Sequence, residues 1–291
     1  MNTFVQLVVG GLGKGAVFAL LALGFVVIFK ATEVVNFAHG SLVLFGGYLV
    51  AVSREAVGWA AAAGLGVIGA GALALCLHHL LARSRHALPF SLALLTIGAD
   101  VVIAEEIARR LGTSVPFIGD GWDARPITVG GITLFRTYLV AMVVSAVLIT
   151  TFFLAFRYSN WGLRMRAQAE NGEAAALVGI RGSRVTASAW VVGGLLAGTA
   201  VLFIATQDFS GSGLSRGTHA LALAAFPAAA LGGMDSALGA VVGGVVVGLV
   251  DALSAHYISF AFAKSAVFLV MLVVLVARPS GLFGSREITR V

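Results

Sequence analysis

Long apolar runs separated by short polar joints fill the chain from Phe4 to Ala277, and apolar and polar positions almost never alternate one by one. The runs lie near 4–29, 38–52, 58–81, 90–108, 137–156, 185–206, 218–232, 236–254 and 261–277. Helices of about 20 apolar residues cross about 30 Å of hydrocarbon. Only helices and closed barrels satisfy their backbone in lipid, and barrel strands would show a period of two. The pattern therefore predicts an all-α polytopic membrane protein with eight or nine transmembrane helices, forming a single transmembrane domain over 1–291. The second, seventh and eighth runs are short and are expected to be tilted, broken or re-entrant. Pro227 interrupts the seventh, where it removes one backbone hydrogen bond.

Composition leads the same way. The 291 residues are 59% hydrophobic and 11% charged, and the mean hydropathy is +1.00. That is too little charge to cover a soluble domain. The first run follows no basic stub and precedes no cleavage site, so it reads as a retained span. The net charge of +6 belongs to basic loops and not to a nucleic-acid surface. With 82–89, 157–184, the C-terminal tail and the 30–37 turn on one side, eleven of the 19 Lys and Arg residues lie there and six opposite. The basic side is cytoplasmic by the positive-inside rule. Nine crossings then place the N-terminus outside and the C-terminus inside. Cys76 stands alone and offers no disulfide framework or metal pair. The 37 glycines against 5 prolines suit close helix packing, with GxxxG spacings at Gly11/Gly15, Gly194/Gly198, Gly239/Gly243 and Gly244/Gly248.

Spanning a membrane does not require the polar loop 157–184, RYSNWGLRMRAQAENGEAAALVGIRGSR. Its middle reads as a short amphipathic helix capped by Asn171, with Ala174, Ala175, Ala176 and Leu177 as its apolar body and Gly179 as its stop. Such a helix suits insertion into a groove on another protein.

Glu173-Ala174-Ala175, three residues and then Gly179 resemble the EAA-x-x-x-G signature of permease subunits of bacterial ABC importers. NFAHG at 36–40 and AAALGGMDSALGAVVGGVVVGLVDAL at 228–253 are similar to segments of the branched-chain amino acid family of these permeases. RYSNWGLRMRAQAEN resembles that family's RYS-x-x-G-R-x-x-RA-x-AE pattern, except that Leu163 stands where the pattern has Arg, with Arg164 next to it. The resemblance runs from about residue 10 to 285.

It implies a multi-pass protein of the bacterial cytoplasmic (inner) membrane, half of a pathway for branched-chain or related hydrophobic amino acids. Glu170, Asn171, Gly172, Glu173, Ala174, Ala175, Ala176, Leu177 and Gly179 would form the coupling helix that docks on an ATPase. The implied partners are a homologous second permease, two ATP-binding cassette subunits, a periplasmic or lipid-anchored substrate-binding protein and membrane lipid. Urea, amides or aromatic carboxylates remain alternative substrates. The chain itself shows no phosphate-binding loop: Gly13-Lys14-Gly15 lacks the upstream glycine and the Ser or Thr that ligates Mg²⁺. ATP and Mg²⁺ would sit on the partner ATPases, leaving this chain without a cofactor of its own.

Polar residues inside spans are candidates for the pathway or its gate, because each ionisable one costs about 2.5–3.5 kcal/mol to insert. Lys14 either faces the pathway, pairs with an acid, or snorkels to a nearby boundary. Asn36, His39 and Ser41 mark the start of the second span, with Asn36 as its cap and His39 bonded to a neighbouring helix. Asp100 lies deep in the fourth span. Glu105/Arg109 and Glu106/Arg110 are spaced for local i,i+4 pairs. Asp251 and Lys264 flank the turn between the last two spans, at the interface. His219 lies with Asp208, Ser212 and Arg216 in a glycine-rich external connection, a candidate gate.

A serine hydrolase would need His39 beside Ser41, but two residues apart on a helix they face away from each other. No His pair has metal-ligand spacing. An ion-coupled carrier or channel subunit shares the mid-membrane break, yet has no use for a docking helix.

Overall fold

The computed structural model describes residues 2–84, 88–112, 115, 116, 118, 119, 121, 122, 125–129, 132–210 and 213–284. Arg85, Gly211, Ser212, Arg286 and Arg290, which entered the charge and gate readings, lie outside the described residues, as does the side chain of Asp208.

Thirteen helices and two strands follow in order among the described residues: α1 (Asn2–Thr32), α2 (His39–Val57), α3 (Trp59–Arg83), α4 (Pro89–Leu111), β1 (Ile127–Val129), β2 (Ile132–Leu134), α5 (Arg136–Tyr158), α6 (Asn160–Glu170), α7 (Gly172–Leu177), α8 (Gly182–Ile204), α9 (Gln207–Ser210), α10 (Arg216–Leu223), α11 (Phe226–Gly232), α12 (Ala237–Tyr257) and α13 (Phe260–Ala277). Seven of them, α1, α2, α3, α5, α8, α12 and α13, are long and apolar enough to cross a membrane. The 109–136 connection contains β1 and β2, an antiparallel pair with Ile127 opposite Leu134, the one sheet among the described residues.

Two more segments run the length of the bundle. In α4 the acids and arginines of its second half lower the hydropathy. The seventh run is broken into α10 and α11, and it crosses instead of turning back. Leu214 N–H donates to Pro116 O (2.9 Å) at one end, while Leu282 and Phe283 N–H donate to Leu231 O and Gly232 O (both 2.9 Å) at the other. Pro227 falls in the first turn of α11, where the missing N–H has no helical partner to lose. Of the three alternatives for the eighth run, a break is excluded: α12 is continuous for 21 residues.

Apolar on all sides, α1 is the buried centre of the bundle, whereas α5 and α13 expose most of their surface. Glycines set how closely α1 meets α12. A Cβ on Gly15 would sit 2.9 Å from Val245 Cα, and one on Gly248 would run into the Gly15 backbone. The two GxxxG pairs thus face each other, and only hydrogen fits between the backbones. Gly194 and Gly198 meet α3 at Ala70 in the same way, and Gly239 and Gly243 meet α11.

Candidate translocation site

The chain does not pass straight from α1 into α2. Residues 33–38 are non-helical and Val34, Asn36 and Ala38 are buried. His39, the first residue of α2, lies against Phe25, with ring centroids 4.3 Å apart, and Phe25 is two turns before the end of α1. The segment therefore climbs back into the bundle before α2 starts. Such backbone survives at depth only where protein satisfies it, and α4 supplies the partners. Thr96 Oγ1 accepts from Phe37 N–H at 3.1 Å. One turn along α4, Asp100 Oδ1 accepts from Ser41 N–H at 3.2 Å. Thr96 and Asp100 share one face of α4 at a spacing of four, matching the spacing of Phe37 and Ser41. Thr96 was not among the sequence candidates, and that shared spacing was its only signal.

Asp100 is also the hub for the broken span. The Ser41 hydroxyl lies 2.6 Å from Asp100 Oδ1 and 2.9 Å from Asp100 O. His219 Nε2 of α10 lies 3.0 Å from both carboxylate oxygens. Three elements, α2, α4 and α10, are tied through one carboxylate where α2 begins and at the middle of α10. A Cβ on Gly40 would lie 2.8 Å from the His219 ring, so Gly40 admits the imidazole. The order Ser–Asp–His puts no base on the serine, since a nucleophile triad needs its histidine in the middle. Among the described residues, no group of three His, Cys, Asp or Glu is placed to hold a metal.

Several side-chain expectations change. Asn36 does not cap α2: its Oδ1 accepts from Ala38 N–H at 3.0 Å, closing a turn ahead of the helix, and Ala38 is the cap residue. His39 makes no bond to a neighbouring helix. It is 0% exposed, and neither ring nitrogen has a partner among the described residues. Glu105 does not pair with Arg109; it reaches across to Arg216 of α10 at 2.6 Å. Glu106 takes both Arg109 and Arg110, at 2.8 and 2.7 Å. Asp251 also has a partner: Lys14 Nζ lies 2.8 Å from its Oδ2. Of the three readings of Lys14, pairing with an acid is the one realised, and the acid stands on α12, which the glycine crossing brings close to α1.

At the basic end, α6 is anchored by buried Met165 and by Trp161 Nε1–H donating to Ser188 Oγ at 2.8 Å. Asn171 Oδ1 accepts from Ala174 N–H at 2.9 Å and caps α7. Gly179, at φ +85°, ends it: its N–H reaches Ala176 O and Ile180 N–H reaches Ala175 O, both at 3.0 Å. This double closure is a Schellman motif, which fixes where the short helix stops. The apolar body is not one surface. Ala175 is 3% exposed, while Leu177 and Val178 are 89% and 77% exposed, so α7 sits on Ala175 and presents Leu177 and Val178 outward. Glu170, Glu173, Ala174 and Ala176 are exposed beside them. Arg164, Arg181 and Arg184 line a cleft of about 360 Å³ next to Val178.

Broken and irregular spans joined by a polar hub, and a rigidly braced loop helix with exposed apolar residues, define a multi-pass membrane transport subunit. Residues 7–277 match the family model described as branched-chain amino acid transport system / permease component, and the chain belongs to that family. It is 28% identical over 312 residues to the high-affinity branched-chain amino acid transport system permease protein LivH of Escherichia coli K12, covering 99% of this chain and 98% of that one. It is 24% identical over 307 residues to the permease protein BraD of the corresponding system of Pseudomonas aeruginosa, with the same coverage. Among solved structures, PsaBC from Streptococcus pneumoniae in complex with Fab superposes with a TM-score of 0.53 at 12% identity, over 91% of this chain and 90% of that one; this likeness concerns the fold alone. The chain is a transporter component of the inner membrane.

Proposed function

We propose that this chain is one of two permease subunits of an ABC importer and forms half of the pathway for branched-chain or related hydrophobic amino acids. Two ATP-binding cassette subunits supply ATP hydrolysis, and an extracytoplasmic binding protein delivers the substrate. This chain hydrolyses no ATP. The observation that carries the reading is α7, a six-residue helix stopped by its own glycine and braced through α6, with Leu177 and Val178 turned outward. It serves as the coupling helix: closure of the ATPases moves α7 and, through α6 and α8, the spans around Asp100. The ties from Asp100 to Ser41 and His219 hold α10 against α2 and α4 in one access state and yield in the other. The names of the relatives support the substrate class, and urea, amides and aromatic carboxylates are the alternatives.

The test is a cysteine at Leu177, which is exposed where Ala175 is not, in a Cys76→Ser background. Crosslinking of that thiol to amines of the co-expressed ATPase by a maleimide–succinimidyl ester reagent, with a yield that changes with nucleotide state, is the expected result. A Leu177 cysteine that labels freely in the assembled complex, and forms no crosslink in any nucleotide state, overturns the coupling role.

A further inference from the structure

A second polar feature inside the membrane region is separate from the Asp100 hub. A cavity of about 150 Å³ opens between α1, α10, α12 and α13, and its wall includes Leu223 and Ala224, at the break between α10 and α11. Helix spacing builds it: Asp251 stands one turn from Val247 on α12, and Lys264 stands one turn from Val267 and Phe268 on α13. Two opposite charges therefore face a pocket that is otherwise apolar, with Phe18 and Leu221 completing the lining.

The fold accounts for these charges only in part. Lys14 takes Asp251 Oδ2 at 2.8 Å and leaves Oδ1 without a partner among the described residues. Lys264, exposed in the second turn of α13, has no hydrogen bond or ion pair among the described residues. Lys14, Asp251 and Lys264 together carry one excess positive charge, which a carboxylate would balance. The free oxygen of Asp251 offers an acceptor for an ammonium group. The volume is below the ~300–1,000 Å³ of drug-sized sites, so the occupant is small.

We infer that this cavity is a transient binding site for a zwitterionic α-amino acid with a branched apolar side chain. Its carboxylate meets Lys264, its ammonium meets Asp251 Oδ1, and its side chain lies against Phe18, Leu221 and Val247. The inference rests on the chain being an amino-acid importer's permease. A broken span suits this position, since free backbone groups at a break are tolerated beside a polar cavity.

The experiment uses the assembled transporter in liposomes, with Cys76→Ser and a reporter Leu223→Cys. Val247→Cys serves as a second reporter if the first fails to assemble. L-leucine at ten times its dissociation constant should slow thiol modification roughly tenfold, as occupancy requires. At the same concentration 3-methylbutylamine, which lacks the carboxylate, and 4-methylpentanoate, which lacks the ammonium, should not protect. Lys264→Met should abolish protection while the thiol stays reactive. Equal protection by 4-methylpentanoate, or protection that survives Lys264→Met, overturns the site. ATP-driven leucine uptake by the same liposomes separates the two claims. Uptake without protection overturns the cavity site and leaves the importer reading standing; protection without uptake does the reverse.

Discussion

Replacing Asp100 by Leu and His219 by Leu, singly and together, tests whether one carboxylate holds three helices. Asp100 satisfies the Ser41 hydroxyl at 2.6 Å, the Ser41 N–H at 3.2 Å and His219 Nε2 at 3.0 Å. Asp100→Leu removes the acceptor for all three and leaves buried Ser41 and half-buried His219 with less bonding. Each orphaned group costs about 1–3 kcal/mol in general, and hydrogen bonds measured inside a membrane average about 0.6 kcal/mol with a ceiling near 1.7. Taking the membrane scale for three contacts, Asp100→Leu should destabilise by about 2–5 kcal/mol and His219→Leu by about 1–2 kcal/mol. The double variant should fall short of the sum by about 1 kcal/mol, because His219 is no longer there to be orphaned. Asp100→Asn, which keeps an oxygen toward Ser41, should lie between wild type and Asp100→Leu. Unfolding of the purified chain in bicelles, followed through the fluorescence of its 4 tryptophans, gives all the values. Additivity of the two Leu variants within about 0.3 kcal/mol would refute the hub, since independent sites add to that accuracy.

Gly248→Val should separate α1 from α12, because even a Cβ meets the Gly15 backbone. Overpacking of this kind costs typically about 1–3 kcal/mol, and a lowered melting temperature in detergent is the measurement. Lys14→Met should lose more stability than Lys14→Met/Asp251→Leu, because the single change leaves a partly buried carboxylate without its partner 2.8 Å away; equal loss in both would show that the pair is solvent-screened. Asn171→Ala removes the α7 cap and should cost about 1 kcal/mol locally. Gly179→Ala, at φ +85°, should cost a similar ~1–2 kcal/mol. Both should lower transport per ATP hydrolysed without changing the global melting temperature, and unchanged coupling would argue against α7 as the mechanical link.

Period and composition alone determined the all-α membrane class, the span positions to within a few residues, the break near Pro227, and the start and stop of α7. These are local properties: an apolar run, a cap and a left-handed glycine act within a turn of where they stand. The GxxxG spacings were legible too, but not which helix each would meet.

Every polar pairing at long range depended on the tertiary structure. Lys14 could face the pathway, pair with an acid or snorkel; that it pairs, and with Asp251, follows from the α1–α12 crossing, 237 residues apart in sequence. Glu105 lies one turn from Arg109, yet it pairs with Arg216, because Glu106 already holds both neighbouring arginines and α10 packs alongside. Asp100 and His219 looked like separate candidates until α2, which begins only after the chain has climbed back into the bundle, brought Ser41 between α4 and α10. His39 itself lost its expected bond to a neighbouring helix and instead packs against the Phe25 ring, 4.3 Å away. Sequence reports what each residue requires in lipid; only packing decides which partner arrives to supply it.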